Sequence, residues 1–177
     1  MVKCLNKRMT VLTREDIRRL LQQKPPLIEG HVNLAEQLQP SGIDLTLREV
    51  ALFQSPGIIP VKNSERRVSD LAPLVFDGLG LIQLICGSYL ITYNEIVNLP
   101  TDVMGLVFPR SSLLRCGVTI HTAVWDPGYH GRAQSLMVVY NPQGVCLQRN
   151  TRIVQLVFYR LTRETDGYHG TYQGENI

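Results

Sequence analysis

Long apolar runs are missing from this chain. No stretch approaches the ~20 consecutive apolar residues that a membrane-spanning helix needs, so no membrane segment is expected. Its four cysteines, Cys4, Cys86, Cys116 and Cys146, make no C-x-x-C pair. The opening MVKCLNKRMT lacks the apolar core of a signal peptide. Together these absences predict reduced thiols in a cytoplasmic protein and exclude a disulfide scaffold. Charge excess is also small, with a net charge of +3 and 19% charged residues. That is too mild for a nucleic-acid groove, but it suits a few arginines aimed at a phosphorylated ligand. With 177 residues, 44% apolar and 7% aromatic, the chain reads as one domain able to bury a sizeable core.

Helical patterning is scarce. One helix is predicted at TREDIRRLLQQK, with Thr13 as N-cap, Asp16 three residues on, and Ile17, Leu20 and Leu21 on one face. Pro25 and Pro26 are expected to end it. The remainder alternates or runs β-branched: GIDLTLREVALF, then GLIQLICGSYLITYNEIV with a break at Gly87-Ser88. VMGLVF, GVTIHTAVW, AQSLMVVYN, GVCLQ and TRIVQLVFYRL follow, between Pro, Gly and Asn turns. Many short strands and one helix argue for an all-β sandwich or barrel. Residues 55–77 read as an irregular surface excursion. The closing RETDGYHGTYQGENI, with three glycines and no apolar period, is expected to be a mobile tail unless a ligand orders it. The predicted layout is a single domain over 1–177: helix and extended lead-in to residue 38, β core over 39–163, closing segment over 164–177.

The most telling scarcity is of acids. Between Asp102 and Glu164 the chain has one carboxylate, Asp126, among Arg110, Arg115, Arg132, Arg149 and Arg152. Asp-Pro-Gly is good turn chemistry, so Asp126 has a purely structural explanation. PRSS likewise reads as a polar loop or as a phosphate cradle, offering a guanidinium, two hydroxyls and backbone N–H groups. An acid that orients water beside such a cradle points to phosphoanhydride hydrolysis.

Five blocks in order carry a family resemblance: QPSGIDL, PRSSLLRCGV, AVWDPGYHG, RIVQLVF and YHGTYQG. With them the chain resembles the superfamily of dUTP diphosphatases and dCTP deaminases, and its N-terminal helix is similar to the deaminase-like branch. The resemblance implies a jelly-roll-like β fold, a homotrimer with sites between subunits, and Mg²⁺ held mainly by the nucleotide's phosphates. It implies that Asp126 activates the attacking water and that Tyr129 packs on the deoxyribose, excluding a ribose 2′-hydroxyl. Arg110, Ser111, Ser112 and Arg115 correspond to the phosphate-contacting block, Gln155 to a glutamine near the phosphates, and Asp44 to an acid supporting that region. A hairpin over 117–124, including Gly117, Thr122 and Ala123, corresponds to the element that reads the pyrimidine. Tyr168, Tyr172, Gln173 and Gly174 correspond to the closing segment. No residue is implied as a direct metal ligand.

The two branches differ by one proton carrier. The resemblance places the deaminases' glutamate three residues before Asn141, where this chain has Val138, and no acid lies between Pro127 and Arg163. An aliphatic side chain moves no proton, so dUTP hydrolysis to dUMP and pyrophosphate is the expected reaction. dCTP deamination, alone or combined with hydrolysis, and nucleotide binding without turnover are the alternatives. The H-x-E and P-C-x-x-C of zinc deaminases are missing, and His121, His130 and His169 follow no metal-ligand spacing.

Overall fold

A computed structural model describes residues 10–177. Cys4 and the opening segment lie outside the described residues; Cys86, Cys116 and Cys146 are free and exposed. No described helix is long and apolar enough to cross a membrane.

The predicted helix forms over Arg14–Leu21. The Asp16 N–H donates to Thr13 Oγ1 at 3.4 Å and the Thr13 N–H to Asp16 Oδ2 at 3.0 Å. This reciprocal box satisfies two donors that the helix itself leaves unpaired. Ile17 and Leu20 are buried and Leu21 is half-buried. The prolines do not end the helix. The Gln22 N–H donates to the carbonyls of Arg19 and Leu20, a tightened last turn that closes the helix before Pro25 is reached.

The architecture is all-β and jelly-roll-like, with antiparallel pairing throughout. The main sheet runs Thr10–Val11, Arg152–Arg160, Gly42–Phe53, Gly87–Tyr93, Gln134–Val139, Val118–His121. Arg152–Arg160 also pairs along its other edge with Val103–Pro109. Two small sheets complete the fold: His130–Gly131, Ile96–Asn98 and Ile28–Glu29 in one, Val145–Gln148 and Leu81–Leu84 in the other. The break in the second β run falls at Ile85-Cys86, and Gly87 already belongs to the next strand. The stretch 117–124 does not fold back on itself. Val118–His121 pairs with Gln134–Val139, and the intervening residues form a wide loop.

The Gly42–Phe53 strand joins two halves of the sheet. Ile43–Thr46 pair with Arg152–Arg160, and Leu47–Ala51 pair with Gly87–Tyr93 across a register shift. All of residues 42–47 are buried, polar positions included, because Asp44 and Thr46 point into a second, polar layer. Thr46 donates its N–H to Glu95 Oε2 at 2.9 Å and its hydroxyl to Oε1 at 2.7 Å. Gln37 Nε2 donates to Glu95 Oε1 at 2.7 Å and to the Asp44 carbonyl at 2.9 Å.

Burial pushes the Glu95 carboxyl above the usual carboxylate range, although the bonds from Thr46 and Gln37 pull it back in part. The native state therefore holds this proton to higher pH than the unfolded chain does. Its contribution is full below the ordinary glutamate value and is lost as pH rises through the folded value. In urea melts between about pH 4 and about pH 7, the stability of the protein minus that of Glu95→Gln is expected to fall as pH rises. A difference that grows with pH would contradict this.

Candidate active site

Asp126 sits in the loop between Val118–His121 and Gln134–Val139. Its neighbour Trp125 pins that loop to Gly105 by two backbone bonds, 2.9 Å from Gly105 N–H and 3.1 Å from Trp125 N–H. The turn closes through Tyr129 N–H to the Asp126 carbonyl at 3.1 Å, with Gly128 at φ +79°, a conformation that glycine adopts without steric cost. The Asp126 carboxylate is exposed and accepts no hydrogen bond or ion pair among the described residues. The side-chain-to-backbone bond that would make it a turn acid is not made.

Asp126 lines a cavity of about 730 Å³. Of the residues expected at the site, Ala123, Tyr129, Tyr168 and Tyr172 line it too. Trp125, Tyr129 and Tyr168 form an aromatic run, with centroids 6.0 and 5.9 Å apart. Such tilted contacts fix ring positions beyond simple burial. The opposite wall is Phe53, Gly57, Ile59, Val68, Ser69 and Leu71. The 55–77 excursion is thus part of the site: it folds back through an Ile58–Arg67 bridge and a short Leu71–Pro73 strand. Arg66 reaches the tail, its guanidinium 5.9 Å from the Tyr172 ring centre.

The phosphate-contacting candidates lie elsewhere. Arg110 lines a second cavity of about 250 Å³ with Gln37, Thr46 and Arg152. Asp44, 2% exposed, stands 3.2 Å from Arg110 Nε and 3.5 Å from Arg152 Nη1. Burial pushes the Asp44 carboxyl up, and the two guanidiniums offset this only in part. Gln155 is the cross-strand partner of Asp44. A Cβ at Gly42 would come 3.0 Å from its Nε2 and 2.4 Å from the Leu156 carbonyl oxygen, so QPSGIDL needs glycine for close strand approach. Ser111, Ser112 and Arg115 are exposed on the short Ser111–Arg115 helix. Gly117 and Thr122 line neither cavity; Gly117 turns the chain at φ +73° and accepts the Tyr140 N–H at 2.8 Å.

One chain keeps these two groups apart. Trp125 pairs with Gly105, and the strand runs from there to Pro109 before reaching Arg110. At ~3.3 Å per residue that places Arg110 ~17 Å from the level of Asp126.

The tail is docked on its own chain. Tyr168 N–H donates to the Pro127 carbonyl at 2.7 Å, Gly174 N–H to the His130 carbonyl at 2.7 Å, and Arg132 N–H to the Glu175 carbonyl at 2.9 Å. The Gln173 side chain bonds backbone at both ends, accepting from His130 N–H at 3.1 Å and donating to the Gly128 carbonyl at 3.0 Å. A segment expected from its composition to be mobile is therefore seated along the Asp126 loop.

The chain matches the family described as dCTP deaminase-like over residues 11–161. It belongs to that family. Within the family's archaeal relatives, it is 47% identical to the probable deoxyuridine 5′-triphosphate nucleotidohydrolase of Methanosarcina mazei, over 95% of this chain and 99% of that one. It is 45% identical to the corresponding probable enzyme of Archaeoglobus fulgidus, over 96% and 99%. Among solved structures, the 2′-deoxycytidine 5′-triphosphate deaminase of Agrobacterium tumefaciens shares the fold, with a TM-score of 0.64 at 19% identity. The match covers 86% of this chain and 48% of that one, so this chain spans about half its length.

For this dCTP deaminase-like chain, reading the residues alone missed three participants. Arg152 opens the fourth block, yet its ion pair with Asp44 needs the strand register to be seen. The Phe53–Leu71 wall carries no motif. Glu175 lines the Asp126 cavity from two residues before Ile177; its signal was only that it follows YQG. Burial pushes its carboxyl up as well. Val138 is half-buried and paired to Thr119 and Ser88, on the strand face of Gln134, which lines the cavity. Among the described residues no group of three or more His, Cys, Asp or Glu is placed to hold a metal ion.

Proposed function

We propose that this chain hydrolyses dUTP to dUMP and pyrophosphate at a site shared between copies, in a homotrimer as the family resemblance implies. The observation that carries the reading is Asp126, a carboxylate with no partner among the described residues, beside Tyr129 in a cavity large enough for a nucleoside. The relatives named as dUTP nucleotidohydrolases support the same substrate.

In this reading Tyr129 packs on the deoxyribose, and Asp126 orients a water and takes its proton. The water oxygen bonds to phosphorus as the link between the α and β phosphates breaks, and pyrophosphate leaves. Arg110, Ser111 and Ser112 of a neighbouring copy meet the phosphate oxygens, with Arg110 held in place by Asp44. Gln155 and Arg115 lie beside this group. An Mg²⁺ ion would be held mainly by the triphosphate itself, with Asp44 supporting the phosphate region, since among the described residues no group of three or more His, Cys, Asp or Glu is placed to cage one. The ion would neutralise phosphate charge. No covalent nucleophile is needed, since positioning and cationic stabilisation suffice for phosphoryl transfer.

Purified protein with dUTP and Mg²⁺ is expected to release pyrophosphate and dUMP stoichiometrically. Nucleotide binding without turnover would overturn this in favour of a non-catalytic relative. One observation favours dCTP deamination as a second reading: Glu175 places an acid in the cavity despite Val138. Ammonia release from dCTP, lost in Glu175→Gln, would establish that activity.

A further inference from the structure

We propose that Glu175 sets the sugar selectivity of this site by holding the Tyr129 hydroxyl, so that docking of the chain's own tail and exclusion of a ribose are one event. The inference rests on the dUTPase reading above and deepens it. Tyr129 Oη donates to Glu175 Oε1 at 2.9 Å, and both residues line the Asp126 cavity. A ring that discriminates against one added hydroxyl must not tilt away when that hydroxyl presses on it. Trp125 and Tyr168 fix the ring from its sides; the bond to Glu175 fixes its far end.

The loop is shaped for this contact. A Cβ on Gly131 would come 2.8 Å from the Tyr129 hydroxyl and 3.3 Å from Glu175 Cγ, so glycine there leaves the space in which the two meet. A Cβ on Gly128 would stand 2.9 Å from Gly167 Cα, so the same loop admits the tail at its other end. Backbone bonds on either side of Glu175 deliver it: Gly174 N–H to His130, and the Glu175 carbonyl from Arg132 N–H. Arg132 and Asn176 add two bonds beyond, at 3.0 and 2.9 Å. Glu175 is thus a positioning residue that acts through Tyr129.

The test compares kcat/KM for dUTP and UTP, with Mg²⁺, in the wild type, Glu175→Ala, Glu175→Gln, Tyr129→Phe and the Ala/Phe double variant. Glu175→Ala is expected to lower the dUTP-over-UTP preference about tenfold, the scale on which a pocket discriminates small groups. Glu175→Gln keeps an oxygen that accepts from the phenol and should recover most of it. The double variant should be no worse than either single change, since both remove the same bond. If Glu175→Ala fails to fold, Tyr129→Phe breaks the bond from the other end. A wild type that discriminates while both single variants keep its ratio would overturn the proposal, as would a Gln variant no better than Ala. A wild type that releases no pyrophosphate from dUTP would instead sink the underlying reading.

Discussion

Asp126→Asn is expected to bind dUTP and leave it intact. The amide keeps the shape of the side chain but cannot take a proton from water, and removing a positioned general base costs roughly 10²–10⁴ in kcat. Affinity should hold, because the change removes a negative charge from beside a polyanion. Stability should hold too: the carboxylate is exposed and has no partner among the described residues, and substitutions of that kind shift stability within about 0.5 kcal/mol. Trp125, the single tryptophan, precedes Asp126 in the cavity wall, so its emission reports nucleotide binding without turnover. Unchanged kcat would return Asp126 to the role of a turn residue. Loss of binding together with a lowered melting temperature would make it structural.

That contrast marks where the sequence was legible. A capped helix and alternating strands are local patterns, and each appears close to its expected span: Gly42–Phe53 coincides with GIDLTLREVALF. The solitary acid between Asp102 and Glu164 was visible as composition. Sequence does not show which side of a strand meets water when two polar layers face each other. Asp44 was legible only through the family resemblance and Thr46 not at all; the structure buries both, because Arg110, Arg152 and Glu95 arrive from segments far along the chain. The tail was illegible for a related reason. Its glycines signal freedom, yet Gly167 meets Gly128 where each lacks a side chain, and backbone pairing needs no apolar period. The 55–77 wall was missed because exposed apolar residues such as Ile59 and Val68 line a cavity by packing, not by motif.

The separation of Arg110 from Asp126 has a consequence that two inactive proteins reveal together. Asp126→Asn lacks the base, and Arg110→Met lacks the guanidinium while keeping a stem of similar length. Asp44 retains Arg152 at 3.5 Å in the second variant, so its buried carboxylate keeps a cation. Each variant alone is expected to be nearly inert. Refolded together in equal amounts, they form interfaces in which an Arg110→Met chain supplies Asp126 and an Asp126→Asn chain supplies Arg110. In a closed ring built from one repeated interface, random mixing makes about a quarter of the sites whole, and about that fraction of wild-type kcat should return. Neither variant chain carries both groups, so no chain in the mixture can restore a site by itself. If the mixture stays as inactive as its components while subunit exchange is demonstrated by size and label, then each chain carries its own cation for the phosphates, and the shared site is wrong.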